Sequence, residues 1–276
     1  MKRLTALLLI LISILTLCSC KIKTGTQVPL EPTIEENHIA SKELDNLPYE
    51  VEIITPKDDE YPNTNKHYVE TDKSPGYILT KYLGEESVVT IPASIDGIKV
   101  IKIGNACFSK NNKLTEITIP PSIINIDNYA FYGCENLKKV NLSNGVVEIG
   151  DSAFMDCTAL TEFQFPVSVE NIGICAFSNC TNLKNIIFLE QRELEIEASA
   201  FSNTALERVF LPIGTKSIDN AAFLGCKNLK EILIPNTVTS IKKNAFKNSS
   251  KVTLFVSKGS YAHDFAVEAK EKYKAT

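Results

Sequence analysis

Four cysteines recur at a fixed interval along the chain, and their spacing is the first sign of possible chemistry. Cys134, Cys157 and Cys180 follow one another at intervals of 23 residues, and Cys226 lies two such intervals beyond Cys180. Thiolates bind zinc, form disulfides and act as nucleophiles. If these positions stack in a column, four ligands in a line cannot make the tetrahedron that zinc requires, and parallel side chains suit a disulfide badly. We therefore expect a ladder of stacked, buried thiols with backbone partners, and disulfides are the alternative.

Histidine-based catalysis has little support in the region that carries these cysteines. The three histidines are His38, His67 and His263, and none falls where a serine or cysteine nucleophile of this region would need a base. Three glycines share one position relative to the cysteines, which favours turn residues over a phosphate-binding loop: Gly104, Gly150 and Gly173. We predict that the protein is not an enzyme and uses no cofactor and no metal. A hydrolase is an alternative class, and it would need titratable side chains that converge in a cleft.

The composition limits the classes of partner. Of the 276 residues, 44% are hydrophobic, which allows a sizeable core. Asp and Glu number 33 against 29 Lys and Arg, so the net charge is -4. Sequence-independent binding of nucleic acid needs a clear excess of Lys and Arg to displace counterions, so nucleic acid is not an expected partner. The chain has no Trp, which excludes sugar stacking on indole rings.

The elements that position the cysteines repeat along the chain. Phenylalanines recur at intervals of 22 to 24 residues, and six of the seven follow an alanine: Phe108, Phe131, Phe154, Phe177, Phe201, Phe223 and Phe246. Further along each unit, two apolar residues are separated by one, as in Ile117 and Ile119, which is typical of a strand. One unit cannot bury its own apolar face, so neighbouring units must stack. We predict a right-handed repeat solenoid over residues 76–257, with a parallel sheet on one face.

The repeat unit resembles a known bacterial family. Its sequence, Cys134-Glu-Asn-Leu-Lys-Lys-Val-Asn-Leu with Ile149-Gly-Asp-Ser-Ala-Phe154, is similar to the BspA-like class of leucine-rich repeats, and the resemblance covers about residues 77 to 265. The resemblance implies a leucine-rich-repeat superhelix of strands with short turns or 3-10 segments. It also implies adhesion to host or extracellular-matrix proteins, or to other microbes.

The C-terminal segment, residues 258–276, has the features of a closing cap with one helix. Ser260 can accept a hydrogen bond at the helix N-terminus, and Tyr261, Phe265 and Ala269 share one helical face. A cap is required because the last unit would otherwise expose its apolar interior.

The first residues of the chain are typical of an export signal. Residues 1–19 are predicted to be a signal peptide, since Lys2 and Arg3 precede an apolar run of about 14 residues, shorter than the ~20 that span a bilayer. The stretch Leu17-Cys-Ser-Cys20 resembles a bacterial lipobox, which implies cleavage before Cys20 and a lipid on its sulfur. An ordinary secretory signal and a retained membrane anchor are the alternatives. Two or three acyl chains anchor a protein stably, so we expect a surface-exposed position in the bacterial envelope, on the outer membrane or the outer leaflet of the cytoplasmic membrane.

The segment after the predicted lipid, residues 20–75, differs in composition from the repeats. Six prolines interrupt a polar stretch that cannot bury enough apolar surface to offset its ordering entropy. Val51, Ile53 and Ile54 are expected to form one local strand. We predict a tether with a mean reach of about 40 Å for ~55 flexible residues, which holds the repeat domain away from the membrane.

One outward column of the predicted strands changes character along the chain. It lies between the two inward residues of each strand and consists of Thr118, Asn141, Gln164, Ile187, Phe210 and Leu233. The first three are polar and the last three are apolar, and Arg208 lies two residues before Phe210. Because an Arg beside an aromatic ring is common in binding hot spots, we predict a ligand-binding surface of Ile187, Arg208, Phe210 and Leu233. The alternatives are that strand propensity alone placed apolar residues there, or that a closing segment with Phe255 folds over them.

These features favour an exported, lipid-anchored protein whose repeat domain binds a protein or a glycan. A preformed sheet would bind without the ordering cost that a flexible binder incurs. A structural role, in which the solenoid scaffolds an envelope complex of the same cell, is the alternative.

Overall fold

The computed structural model describes residues 47–54, 76–190 and 193–275. The predicted signal peptide, the lipidation site Cys20 and most of the predicted tether lie outside these residues. The described strands and helix are β1 (Tyr49–Ile54), β2 (Gly76–Tyr82), β3 (Val88–Thr90), β4 (Ser94–Ile95), β5 (Ile98–Ile103), β6 (Glu116–Ile119), β7 (Asn125–Ile126), β8 (Lys139–Leu142), β9 (Glu148–Ile149), β10 (Glu162–Phe165), β11 (Asn171–Ile172), β12 (Asn185–Phe188), β13 (Leu194–Ile196), β14 (Arg208–Phe210), β15 (Thr215–Ile218), β16 (Glu231–Leu233), β17 (Ser240–Ile241), β18 (Thr253–Val256), α1 (Tyr261–Ala269) and β19 (Tyr273–Ala275).

The strands form two rows, because each repeat unit, here called a coil, contributes one strand to each row. The front row comprises three parallel sheets in the order β3-β6-β8, β10-β12 and β14-β16-β18-β19. The back row is one sheet in the order β1-β2-β5-β7-β9-β11-β13-β15-β17, with β4 at the side of β5. Residues 23 apart face each other in the front row, as Ile117 and Val140 do. The predicted leucine-rich-repeat solenoid with its parallel sheet is confirmed.

The back row is an addition to the sheet predicted on one face. Most of its strands have only two to four residues, and its isoleucines stand opposite one another, Ile126 to Ile149 and Ile149 to Ile172. These isoleucines are fully buried, so the back row closes the second side of the core. Backbone hydrogen bonds between coils therefore hold the solenoid together on both sides.

The phenylalanines form a single column through the core, as their spacing predicts. From Tyr82 to Phe246, neighbouring rings are stacked with centroids 4.8 to 5.8 Å apart and planes within 7° to 24° of parallel. The column ends at Phe265 of α1, whose ring lies 6.3 Å from that of Phe246 at a steep angle. Each ring is covered by the next, so burial of the aromatic core depends on coil stacking.

The two ends of the solenoid are closed by different elements. At the N-terminal end, β1 falls within the predicted tether and pairs antiparallel with β2, and Tyr49 is buried in the core. At the C-terminal end, Ser260 accepts a hydrogen bond from the His263 backbone nitrogen, as predicted for the N-cap. The buried face of α1 contains Ala262 and Ala266, whereas Tyr261, predicted to be on the packed face, is 45% exposed. Within the described part of the chain, no helix combines the length and apolar character needed to cross a bilayer.

The glycines predicted to be turn residues begin the turns of the repeat. The carbonyl oxygens of Gly104, Gly150 and Gly173 each accept a hydrogen bond, at 3.2 Å, from the backbone nitrogen three residues later, so the turn interpretation is confirmed. The same glycines also lie close to the preceding coil. A Cβ added to Gly150 would lie 2.6 Å from Asn128 Oδ1, and one added to Gly173 would lie 2.8 Å from Asp151 Oδ1. They therefore allow two coils to approach closely where a side chain would collide.

Candidate interaction surface

The four predicted binding residues lie together on the C-terminal half of the front row. Ile187 is in β12, Arg208 and Phe210 are in β14, and Leu233 is in β16. Phe210 stands directly opposite Leu233, and β12 lies next to β14. Ile187, Phe210 and Leu233 are 47%, 61% and 46% exposed. We call these three residues the apolar stripe.

The N-terminal half of the same column is polar, and Asn141 in it forms hydrogen bonds with neighbouring side chains. Asn141 Nδ2 donates to Glu116 Oε1 at 2.8 Å and to Thr118 Oγ1 at 3.2 Å. Lys139 Nζ lies 3.0 Å from the same Glu116 oxygen. The hydrogen bonds from Lys139 and Asn141 hold the pKa of Glu116 below its usual value. Thr118, Asn141 and Glu116 therefore already have partners within the chain.

The apolar stripe has a charged flank and an apolar flank. On the charged side, Arg208 Nε lies 3.1 Å from Glu231 Oε2, so the predicted hot-spot arginine is paired within the sheet. On the other side, the outward positions two residues after the stripe hold Leu189, Pro212 and Pro235. Leu189 is exposed and the two prolines are half-buried. These three residues were not among the residues predicted from the sequence. Continuing the inward–outward alternation of each strand by one more step would have predicted that they face outward.

The stripe ends at an aromatic ring that is covered by a cation. Phe255 of β18 lies opposite Leu233, and Lys274 of β19 lies opposite Phe255 with its Nζ 5.3 Å from the ring centroid. The closing segment with Phe255 thus continues the sheet beside the stripe. It does not fold over the stripe, which was the alternative expectation.

The predicted thiol ladder is present. Each ladder thiol donates to the carbonyl oxygen of the core phenylalanine in the preceding coil at 3.0 to 3.2 Å, beginning with Cys134 and Phe108. Ser249 occupies the same column and donates to the Phe223 carbonyl at 2.6 Å. The four ladder cysteines are free thiols, and burial raises the pKa of Cys134 to about 12. At neutral pH these thiols are protonated and serve packing and hydrogen bonding.

Two further acidic side chains, Glu197 and Glu207, have partners in a neighbouring coil. Glu197, which follows β13, has its pKa raised by burial, while a hydrogen bond from Asn171 Nδ2 at 2.9 Å acts in the opposite direction. Lys230 pairs with Glu207 at 3.2 Å beside the front row. Over the described ranges, no three His, Cys, Asp or Glu side chains are grouped so that they could hold a metal ion.

Repeat pattern and fold together define a bacterial leucine-rich-repeat solenoid. The family described as BspA type leucine rich repeat region matches residues 88–193 and 147–263, in six copies. The two ranges span residues 88–263, which is 176 of the 276 residues. The chain therefore belongs to the BspA type leucine-rich-repeat family. Among curated proteins, none matches it.

Solved structures of similar proteins come from several bacteria. The pneumococcal vaccine antigen PcpA is 22% identical with a TM-score of 0.50, over 66% of this chain and 59% of that one. The T. pallidum leucine rich repeat protein TpLRR is 25% identical with a TM-score of 0.48, over 73% and 90% of the two chains. A leucine rich cell surface protein from Faecalibacterium prausnitzii A2-165 is 20% identical with a TM-score of 0.34, over 70% and 93%. The likeness to PcpA supports the solenoid fold.

Proposed function

We propose that the protein is a lipid-anchored binding protein of the bacterial cell surface, whose front row contacts a protein or glycan partner without catalysing a reaction. The observation that carries this proposal is the apolar stripe. Three large apolar side chains, each about half exposed, stand side by side on the front row, Phe210 and Leu233 on paired strands and Ile187 on the neighbouring strand β12. A contiguous exposed apolar patch on a soluble domain is often a functional contact surface.

The energetics of such a contact follow from the flanks of the stripe. Full burial of one large apolar side chain contributes about 1.5–3 kcal/mol, and a partner would cover the exposed half of Phe210 and of Leu233, so each would contribute roughly half of that amount. The ion pair between Arg208 and Glu231 lies at the edge, where it stays accessible to water. Such a rim pair affects the choice of partner and the rate of association more than the affinity.

Binding is tested with the Phe210→Ser/Leu233→Ser double variant of the full chain, probed on an array of glycans and extracellular-matrix proteins. We expect at least a tenfold loss of binding to any partner of the unchanged chain, because the central apolar contacts are removed. The matched control is Asn141→Ser/Gln164→Ser, in the same column of the polar half, which should bind normally. Thermal unfolding verifies that both variants fold.

Unchanged binding by the apolar double variant would contradict the assignment of the surface. If the array shows no partner but the protein recovers a component of the organism's own envelope through the stripe, the scaffold alternative is favoured over adhesion.

The lipid anchor is tested by Cys20→Ser, with Cys18→Ser as the matched control. Cys20 is proposed to carry the acyl chains, so the Cys20→Ser protein should leave the membrane fraction and fail to incorporate labelled fatty acid. The Cys18→Ser protein should stay in the membrane fraction. Membrane retention of the Cys20→Ser protein would remove the anchor from the proposal and leave the binding surface unaffected.

A further inference from the structure

The spacing of the apolar stripe indicates which kind of partner element it fits, an inference that rests on the proposed function. Phe210, Leu233 and Phe255 stand on the paired strands β14, β16 and β18, and paired strands are about 4.8 Å apart in a sheet. Phe210, Leu233 and Phe255 face one another in register. The apolar groups therefore form a row along the solenoid axis, with one group in each coil.

An α-helix matches this row better than an extended chain does. Successive turns of a helix are about 5.4 Å apart, whereas same-face residues of a strand are about 6.7 Å apart. Over the two steps from Phe210 to Phe255, a helix drifts by roughly 1 Å from the row, and an extended chain drifts by about 4 Å, which is close to one coil. A helix laid along the axis thus keeps its apolar residues in contact with every member of the row.

The size of the patch favours a single helix over a second copy of this chain. The exposed parts of Ile187, Leu189, Phe210 and Leu233 leave an apolar area on the order of 400 Å². A stable interface between copies buries about 800 Å² on each partner. The front row becomes polar at Gln164, so the apolar area does not extend further in that direction. An amphipathic helix of about three turns covers the patch.

The charges at the two ends of the stripe favour one direction of that helix. Glu162 is exposed on β10, the strand before Ile187, and Lys274 stands beside Phe255 at the other end. A helix carries partial positive charge at its N-terminus and partial negative charge at its C-terminus. A helix that follows the order of the coils places its N-terminus near Glu162 and its C-terminus near Lys274.

We propose that the apolar stripe binds an amphipathic α-helix of a protein partner, laid along the solenoid axis with its N-terminus toward Glu162. The chemistry that recognises it is a row of apolar side chains at helical spacing, together with the end charges of the helix.

The test uses a synthetic peptide of about 14 residues with leucines at helical spacing, held helical by side-chain lactam bridges and carrying one Trp on its apolar face. Because the protein has no Trp, the fluorescence shift of the peptide reports burial without background. A disulfide-closed hairpin of the same composition, with the leucines at alternate positions, is the control probe. We expect the helical peptide to bind the full chain at least tenfold more tightly than the hairpin.

Three variants locate the contact. Phe210→Ser/Leu233→Ser should weaken binding of the helical peptide at least tenfold, and Gln164→Ser should leave it unchanged. Lys274→Glu should weaken binding of the helical peptide a few-fold, because it places a negative charge near the negative end of the helix. A peptide with a basic C-terminal end should bind the Lys274→Glu protein as tightly as the first peptide binds the unchanged chain.

Equal binding of the helix and the hairpin, or binding indifferent to the apolar double variant, would overturn the helix inference. Self-association of the chain that the double variant abolishes would overturn it in favour of a second copy. These results are separable from the proposed function. If the double variant loses binding on the array but the chain shows no preference for the helical peptide, the proposed binding surface is supported and only the helix inference is wrong.

Discussion

The two halves of the front row share one core and differ in their outward side chains. In the N-terminal half, Asn141 bridges Thr118 and Glu116 through hydrogen bonds of 3.2 and 2.8 Å. In the C-terminal half, the same column exposes Phe210 and Leu233 to water. The strands are parallel in both halves, so the fold does not require the difference. The outward side chains do not pack in the core, so they can differ between the halves without a change of fold, and a binding surface can be formed from them.

The interiors of the two halves also differ. The ladder thiols are divided equally, since Cys134 and Cys157 precede β8 and β10, and Cys180 and Cys226 precede β12 and β16. Ring stacking is closer in the N-terminal half: the centroids of Phe131 and Phe154 are 4.9 Å apart, and the last stacked pair of the C-terminal half is 5.8 Å apart. The half that carries the apolar stripe therefore has the looser aromatic column.

The largest expected effect compares the aromatic column in the two halves. Phe154→Ala and Phe223→Ala each remove a fully buried ring between two stacked neighbours, and each should lower the free energy of unfolding by about 3–5 kcal/mol. The loss should be larger at Phe154, where the rings are closer. Urea denaturation followed by circular dichroism measures both, with the exposed Phe210→Ala as the control. A loss below about 1 kcal/mol at both sites would contradict the stacked core.

A smaller effect concerns the ladder thiols, and it appears at alkaline pH. Burial raises the pKa of Cys134 to about 12 from an ordinary value of 9.0, so this thiol stabilises the fold fully below about pH 9. That contribution is lost as the pH rises from about 9 toward 12, at up to about 1.4 kcal/mol per pH unit for each such thiol. The triple variant with Ser at Cys134, Cys157 and Cys180 should flatten the alkaline decline in stability more than Cys226→Ser does, as measured by denaturation from pH 8 to 11. Equal slopes for both variants would show that the ladder thiols do not cause the decline.

The smallest effect concerns the surface ion pairs, one in each half. Lys139→Ala and Arg208→Ala remove exposed partners of Glu116 and Glu231, and each should change the free energy of unfolding by less than about 1 kcal/mol. Their effects on binding should differ, because only Arg208 borders the apolar stripe. Thermal unfolding and the array measurement together test this, and a similar loss of binding in both variants would extend the contact surface into the polar half.

Much of the fold could be predicted because the core positions repeat. Phe108 and Phe131 occupy equivalent environments, so a spacing of 23 residues is sufficient to indicate stacking. The back row could not be predicted as a sheet, since strands such as Asn125–Ile126 are too short to show alternation. The strand Tyr273–Ala275 was missed for a related reason: all three of its residues are exposed, so its sequence shows no alternation, and it pairs with β18.

The amino-acid sequence by itself determined the repeat, the inward and outward columns and the residues of the apolar stripe, because these depend on local alternation and on a period that is visible in the letters. Only the tertiary structure decided that Arg208 is paired with Glu231 and that Phe255 lies beside the stripe. Those outcomes depend on which backbones lie next to each other in space, and contacts between coils are made by residues more than 20 positions apart. Local pattern therefore indicates what each coil buries, and packing between coils determines what the assembled surface presents.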